Sequence, residues 1–454
     1  MKPSIPQGTR DFSAAVLRKR SYILDTIRNV FLLYGFEPLE TPAMEHTETL
    51  MEKYGEEGDK LLFKILNNGL HLPEKKESAL SDFQQVLEGK TTKGITERAL
   101  RYDLTIPFAR YVAMNHQQLT LPYKRFQMQP VWRADRPQRG RYREFWQCDA
   151  DVAGSLSLLH ESELVNIYTD VFGALQLSVS IHINNRKILS ALATVCGGED
   201  LMSHITVAID KLDKIGPQKV KDELIGKGLS MEQVEKVESY MSIQGDNEQR
   251  LQQLEELFGA VPVGKEGINE IRQVLSLAKS TSHTTVVVDP SLARGLNYYT
   301  GTIFEIKASG VEMGSIGGGG RYDDLTGLFG VKGIPGVGIS FGVDRIFDVM
   351  EELNRFPDHI HSGTTALIFR TSESELRYQM HLADALRNQS ISCEIFHEQV
   401  KFDKQFKYAD RKGIPYVIIA GSEELQKQTY LVKNRSTGEQ REYALDQLIS
   451  LLKA

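Results

Sequence analysis

The stretch 122–151, PYKRFQMQPVWRADRPQRGRYREFWQCDAD, constrains the fold more than any other part of the chain. Its two ends, YKRFQMQPVW and YREFWQCD, are rich in aromatic and β-favouring residues, whereas ADRPQRG between them carries Pro and Gly. The pattern predicts two antiparallel strands joined by a long arginine-rich loop. Lys124, Arg125, Arg133, Arg136, Arg139, Arg141 and Arg143 are opposed only by Asp135 and Glu144 before the closing CDAD. Two uses fit such a basic island. It can solvate a hairpin edge, or it can supply planar donors to the oxygens of a polyphosphate. Charge alone leaves both open.

A chain of 454 residues is too long for one small core, which predicts two or three domains. Its net charge of -6 argues against a non-specific nucleic-acid coat while leaving room for a one-sided basic patch. Cys148, Cys196 and Cys393 are far apart and form no C-x-x-C pair. Neither a disulfide framework nor a thiolate zinc site is expected, and a reducing cytosol fits. The N-terminal MKPSIPQGTRDF lacks the apolar core of a signal peptide, and no apolar run is long enough to span a membrane.

Taken in order, residues 16–34 place Ile23, Ile27, Val30, Phe31 and Tyr34 at helical spacing, with Gly35 as a stop. FEPLETPAMEH follows as an extended edge or subunit-contact segment, because Pro38 and Pro42 do not suit a central strand. From about 66 to 96 the chain is polar and reads as a surface excursion. RYDLT reads as strand or loop before a helix over 106–115 with Pro107 in its first turn, where Asp103 and Thr105 are suited to capping. An amphipathic helix is predicted over 157–175, then a strand and turn at SVSIHINNRKIL. Residues 188–281 are charged and helical, and read as an inserted module.

TTVVVDPSLARGLNYYTGTIFEIKA gives two further strands around a polar centre containing Arg294. Gly317 to Gly320 read as a flexible turn, the commonest meaning of such a run. The spacing excludes a P-loop. In GIPGVGISFGVDRIF a strand follows the glycines where a dinucleotide fingerprint needs a helix, so the prediction is a glycine-studded strand running into a helix near Val343. A flat group against those glycines would have Arg345 stacked over it. Beyond ELNRFPDHIHSG the last ninety or so residues alternate strand and helix, with Lys401, Lys404, Lys407, Arg411 and Lys412 along one segment.

These segments together resemble histidyl-tRNA synthetase, a class II aminoacyl-tRNA synthetase. PQGTRDF is similar to that family's N-terminus, FEPLETP to class II motif 1, VWRADRPQRGRYREFWQ to motif 2, GVGISFGVDRIF to motif 3 and ARGLNYYTGTIFE to the histidine-specific signature. The resemblance implies an α+β catalytic core with an antiparallel sheet of six or seven strands over 1–187 and 282–352. It further implies a helical insertion over 188–281, a linker over 353–362 and a C-terminal α/β anticodon-binding domain over 363–454. It also implies ATP and Mg²⁺, L-histidine and histidine tRNA as partners, a homodimer built through the Pro42 segment, and a cytoplasmic location.

Carried over residue by residue, Arg133 and Arg294 are the catalytic pair on the α-phosphate of ATP. Arg141 contacts the outer phosphates, and Arg345 covers the adenine. Asp103 and Thr105 bind the α-amino group of histidine. Gln147, Asp151 and Tyr299 surround the imidazole, with Tyr298 and Tyr322 in the same pocket. Gln138 and Arg143 fall where the family reads the extra 5′ guanosine of its tRNA. The metal ligands stay open, with Glu305 as the one candidate carboxylate. RYDLT replaces the familiar RPEGT, Asp151 stands where many members have Glu, and NYYTG replaces DYYTR. The rival class is the regulatory subunit of ATP phosphoribosyltransferase, which resembles the same core but lacks the anticodon-binding domain and erodes the two arginines. Synthetases for threonine, proline or glycine are disfavoured by ARGLNYY.

Overall fold

A computed structural model describes residues 2–51, 60–90, 92–293, 298–357, 360 and 363–453. The chain divides into two compact units, one of residues 1–10 and 23–355, the other of residues 11–22 and 356–454. In the first unit the short strands β1 (Glu37–Pro38), β2 (Met44–His46), β3 (Lys64–Ile65) and β4 (Arg98–Leu100) precede the hairpin pair β5 (Tyr123–Trp132) and β6 (Glu144–Ala153). The strands β7 (Val179–Asn185), β8 (Thr284–Val288), β9 (Thr302–Ala308), β10 (Gly317–Tyr322) and β11 (Gly336–Gly342) complete it.

Eight of these strands form one sheet in the order β1-β5-β6-β11-β10-β9-β7-β8. The six from β5 to β7 pair antiparallel, but β1 joins β5 and β8 joins β7 in parallel. The antiparallel sheet of six or seven strands expected from the sequence is thus present as these six strands, and a parallel strand is added at each edge. Both parallel strands return after connections long enough for a crossover. Pro130 is tolerated in β5 because β1 pairs only with Arg125 and Phe126, so that Pro130 lies on an edge with no ladder bond to lose.

Strand alternation gives the sheet one dry face and one polar face. On β6, Cys148, Ala150 and Val152 are buried on the dry face. The face is closed by residues 23–33 of the first helix, which ends at Leu33, and by the helix Leu159–Ala174. Phe31 packs 5.5 Å from Phe126 and 5.8 Å from Phe341, while Tyr168 lies 4.7 Å from Phe341 between ring centroids. Each such ring contributes roughly 1.5–3 kcal/mol by burial. Gln147, Asp149 and Asp151 alternate with these residues onto the opposite face. Arg125 and Gln127 lie beside them on β5, and Gly338, Ser340 and Gly342 on β11.

The run of four glycines is a central strand and not a turn, paired on one side to β11 and on the other to β9. The polar excursion contains a helix, Lys76–Leu87, with no buried residue. SVSIHINN ends in a helix, Arg186–Val195, capped by Asn185 through the Lys187 N–H at 3.0 Å. Further helices run to Leu277, including Met231–Met241 and Asn247–Phe258, each opened by a reciprocal capping box. They bond to the sheet strands: Asn247 Nδ2 donates to the Val286 carbonyl at 2.8 Å, and Arg250 Nη1 to that of Val288 at 2.6 Å.

The second unit has its own five-stranded sheet, built from β12 (Ala366–Ile368), β13 (Cys393–Ile395), β14 (Tyr416–Ile419), β15 (Tyr430–Asn434) and β16 (Gln440–Tyr443). The order is β13-β12-β14-β15-β16, with the first three parallel and the rest antiparallel. Leu382, Leu386, Ile418, Val432 and Leu448 pack in one cluster, and Phe369, Phe396, Ala409 and Val417 in another. Lys401, Lys404, Lys407, Arg411 and Lys412 are exposed on and just before the helix Phe402–Lys412, and Lys412 is paired to Glu394 at 2.8 Å.

Candidate active site

A cavity of about 470 Å³ opens over the polar face of the sheet, bounded by the loop between β5 and β6, the strands β9 to β11, and the start of the helix Val343–Glu352. Arg133, Arg141 and Arg345 line it together with Gln147, Tyr299 and Glu305. The basic island thus does more than solvate an edge, although its members divide. Arg125 is wholly buried, and Arg139 is exposed and paired to Glu352.

Two of the three cavity arginines, Arg133 and Arg345, are held by backbone oxygens, which fixes their direction. Arg133 Nε donates to the Tyr102 carbonyl at 3.0 Å, with the guanidinium 4.2 Å from the Tyr102 ring and 5.1 Å from that of Phe145. Arg345 Nε donates to the Gly140 carbonyl at 2.7 Å and its Nη1 to that of Ser315. Burial, and then repulsion from Arg141 and Arg133, lowers the Arg345 pKa. Arg141 is half-exposed and rests 3.7 Å from Asp135. Three cations converging on one cavity are repulsive until an anion enters, which is the electrostatic condition for binding a polyphosphate.

The N-terminal PQGTR segment buttresses this wall. The Gly8 carbonyl accepts from the Arg143 N–H at 2.9 Å, and Gly8 has no Cβ to collide with Arg143 and Pro137. Arg10 lies 3.2 Å from the Tyr142 ring centroid and pairs with Asp344, which also accepts the Trp146 N–H at 2.9 Å.

Deeper on the same face lies a carboxylate cluster. Arg125 Nη2 pairs with Asp151 at 2.9 Å, donates to the Leu104 carbonyl at 3.1 Å, and its guanidinium is 4.3 Å from the Phe108 ring. The Tyr322 hydroxyl donates to the other Asp151 oxygen. Burial raises the pKa of Asp151, against the pull of Arg125 and Tyr322. Burial, and next the neighbouring Asp151 charge, pushes Asp149 up to about 7. The glycines make this density possible. A Cβ on Gly338 would fall 2.0 Å from Asp151, one on Gly336 2.2 Å from the Tyr322 ring, and one on Gly320 2.8 Å from the Tyr299 ring.

The histidyl-tRNA synthetase family model matches residues 70–346, and the anticodon-binding domain model matches residues 365–454. The chain belongs to the histidyl-tRNA synthetase family. It is 48% identical over 454 residues to a histidine–tRNA ligase of Phocaeicola vulgatus, covering 100% of this chain and 99% of that protein. It is 49% identical over 446 residues to one of Porphyromonas gingivalis, covering 97% and 96%. Among solved structures, the histidyl-tRNA synthetase of a Nostoc species matches with a TM-score of 0.83 at 31% identity, covering 100% of this chain and 99% of that one. A Bacillus halodurans protein described as ATP phosphoribosyltransferase regulatory subunit/histidyl-tRNA synthetase matches with a TM-score of 0.71 at 19% identity, which shows the shared fold alone.

Of the family positions named from sequence, Arg133, Arg141, Arg345, Gln147, Tyr299 and Glu305 meet at the cavity. Asp103, Asp151, Tyr298 and Tyr322 form the polar layer behind it. Asp103 Oδ1 accepts the Ile106 N–H at 3.1 Å, as its capping role predicts, and Oδ2 accepts from the Tyr298 hydroxyl at 3.4 Å. Thr105 is half-buried at the first position of the helix Thr105–Asn115. Gln138 and Arg141 bond backbone to backbone in the loop, while Arg143 Nε donates to the Asp135 carbonyl at 3.2 Å; neither Gln138 nor Arg143 lines the cavity. Arg294 lies outside the described residues. Sequence reasoning missed Ser340 and Asp149. Alternation was the available signal for Asp149, which stands between Gln147 and Asp151 at a spacing of two.

Proposed function

We propose that the chain activates L-histidine with ATP, forming histidyl-adenylate and pyrophosphate, and then transfers the histidyl group to the 3′ end of histidine tRNA. The observation that carries this reading is the convergence of Arg133, Arg141 and Arg345 on one cavity whose floor continues to Gln147 and Tyr299. In-line attack of the histidine carboxylate on the α-phosphate needs orientation and charge neutralisation above all. Arg133 supplies one guanidinium to the developing charge and Arg294 the other, each worth about 3 kcal/mol of transition-state stabilisation. Arg141 takes the outer phosphates and Arg345 the adenine ring.

In this reading Asp103 and Thr105 receive the α-amino group, and Gln147, Asp151, Tyr298, Tyr299 and Tyr322 form the imidazole pocket. Gln138 and Arg143 face the tRNA acceptor end. Glu305, 6% exposed on the cavity wall, suits Mg²⁺, which takes one or two carboxylates when phosphate oxygens supply the rest. Among the described residues no group of three or more acidic, His or Cys side chains forms a self-sufficient metal site. Residues 1–187 and 282–352 act as the catalytic core, 188–281 as a helical insertion, 353–362 as a linker and 363–454 as the anticodon-reading domain. The working form is a cytoplasmic homodimer joined through the Pro42 segment, and no described helix is long and apolar enough to cross a membrane.

ATP–pyrophosphate exchange measured with each amino acid tests the activity. Exchange is expected with histidine alone, followed by charging of histidine tRNA. Arg133→Ala and Arg294→Ala should each lower exchange by two or more orders of magnitude with the melting temperature little changed. Exchange driven by threonine, proline or glycine, or near-normal rates in both variants, would overturn the assignment.

A further inference from the structure

The N-terminal PQGTRDF segment supplies no residue to the cavity lining, yet two of the residues that Arg10 touches do line it. The Arg10 guanidinium pairs with Asp344 in the first turn of the helix Val343–Glu352. It also lies 3.2 Å from the centroid of the Tyr142 ring, in the loop between β5 and β6. Tyr142 follows Arg141 in the chain, and Asp344 precedes Arg345. One side chain from a distant segment therefore bridges the two elements that carry these cavity cations.

The groups at both ends of the bridge are themselves held. Asp344 is 3% exposed and also accepts the Trp146 N–H at 2.9 Å, and a carboxylate at that depth calls for a cation. The Tyr142 hydroxyl donates to Asp348 Oδ2 at 2.9 Å, one turn further along the same helix. The Gly8 carbonyl accepts the Arg143 N–H at 2.9 Å, so the N-terminal segment grips the loop at two successive residues. A guanidinium can present its face to a ring while its edge donates to a carboxylate. An ammonium has no such face.

The need for a bridge is electrostatic. Arg141 from the loop and Arg345 from the helix are like charges converging on one cavity, and before an anion enters they push the two elements apart. The bond from Arg345 Nε to the Gly140 carbonyl opposes this at the cavity, and the Arg10 bridge opposes it from behind. A polyphosphate binds more tightly when its cations are held at the bound spacing in advance. We propose that Arg10 is a positioning residue for ATP: without touching the nucleotide, it ties Tyr142 to Asp344 and so fixes the spacing of Arg141 and Arg345. The inference rests on the reading of these two arginines as ATP contacts.

The test reads ATP binding apart from catalysis. ATP with Mg²⁺, titrated calorimetrically into the full-length protein without histidine, should show a Kd raised about tenfold in Arg10→Ala. Arg10→Lys keeps the charge opposite Asp344 without the planar face, and its Kd should fall between that of Arg10→Ala and that of wild type. In pyrophosphate exchange the KM for ATP should rise in parallel, while the KM for histidine changes less than twofold. Arg139→Ala is the control. Its exposed pair with Glu352 joins the same loop to the same helix at the surface, where such pairs contribute little, so the Kd for ATP should change less than twofold. If Arg10→Ala melts below the assay temperature, Arg10→Lys carries the comparison. An unshifted Kd in the Arg10 variants, equal rises in the KM for ATP and for histidine, or a rise in Arg139→Ala matching that in Arg10→Ala would overturn the assignment. Wild-type protein that binds ATP without histidine-dependent exchange would overturn the ligase reading and leave the Kd comparison to decide the role of Arg10. Wild-type protein that binds no ATP would overturn both.

Discussion

At the scale of single residues, the site is a graded set of buried charges. The guanidinium of Arg125 holds two carboxylates in a layer with little water, and removing it would leave them uncompensated at a cost of about 3–5 kcal/mol. Asp149 carries a consequence for stability whose sign can be worked out. Its folded-state pKa is raised from 3.8 to about 7, so the unfolded chain ionises first. The favourable protonated form contributes fully below about pH 4, and that contribution is lost as pH rises through 7. Melting of wild type and Asp149→Asn followed at pH 5.5, 7 and 8.5 should show the variant gaining on wild type as pH rises, since Asn never ionises. A constant difference between the two would sink this account. Arg133, Arg141, Arg345, Gln147 and Tyr299, which line the cavity, were readable from sequence because they fall in recognisable motifs. Ser340 was not, since a lone serine in a glycine-rich strand acquires meaning only from Gln147, which donates to it from nearly two hundred residues away in the chain.

At the scale of elements, the hairpin β5–β6 and the passage from β11 into the helix Val343–Glu352 were legible because alternation and turn residues agree with the tertiary arrangement. The strand β10 was not legible. Four glycines lower strand propensity, and only the neighbours explain them: Gly319 has the Gly338 carbonyl 2.1 Å from where its Cβ would stand and the Ile339 Cα at 2.7 Å, both backbone atoms that cannot turn aside. Gly319→Ala should therefore destabilise by at least the 1–3 kcal/mol typical of overpacking, lowering the melting temperature by several degrees. Gly173→Ala is the matched control. It lies in the helix Leu159–Ala174 with nothing within 4 Å of its Cβ position, and should stabilise by up to about 1 kcal/mol. Equal effects of the two substitutions would refute the close-approach argument. The helix Lys76–Leu87 escaped prediction for a different reason: none of its residues is buried, so its sequence carries no clear core stripe.

At the scale of the whole molecule, the strand–helix alternation after 363 made the terminal α/β unit readable. The inclusion of residues 11–22 in that unit was not, because helical spacing tells which face is covered and not by what. Arg18 Nε donates to the Ile360 carbonyl at 3.1 Å, and Lys19 lies 4.9 Å from the Phe356 ring centroid. If the Pro42 segment joins two copies, sedimentation at working concentration should give a dimer, and a stable monomer would count against it. A sharper separation of tasks comes from ending the chain at Arg355. The cavity residues from Arg133 to Arg345 all belong to the first unit, so histidine-dependent exchange should stay within about tenfold of the full-length rate. Residues 365–454 match the anticodon-binding model, so charging of histidine tRNA should fall by at least a hundredfold, chiefly through a higher KM for tRNA. The cut leaves Arg18 and Lys19 without those partners, and a lower melting temperature is expected on that ground alone. Exchange and charging are therefore compared at a temperature where the shortened protein still melts cooperatively above the assay. Undiminished charging would remove the anticodon role from the terminal unit, and a parallel loss of both reactions would show that the first unit does not hold the activation chemistry by itself.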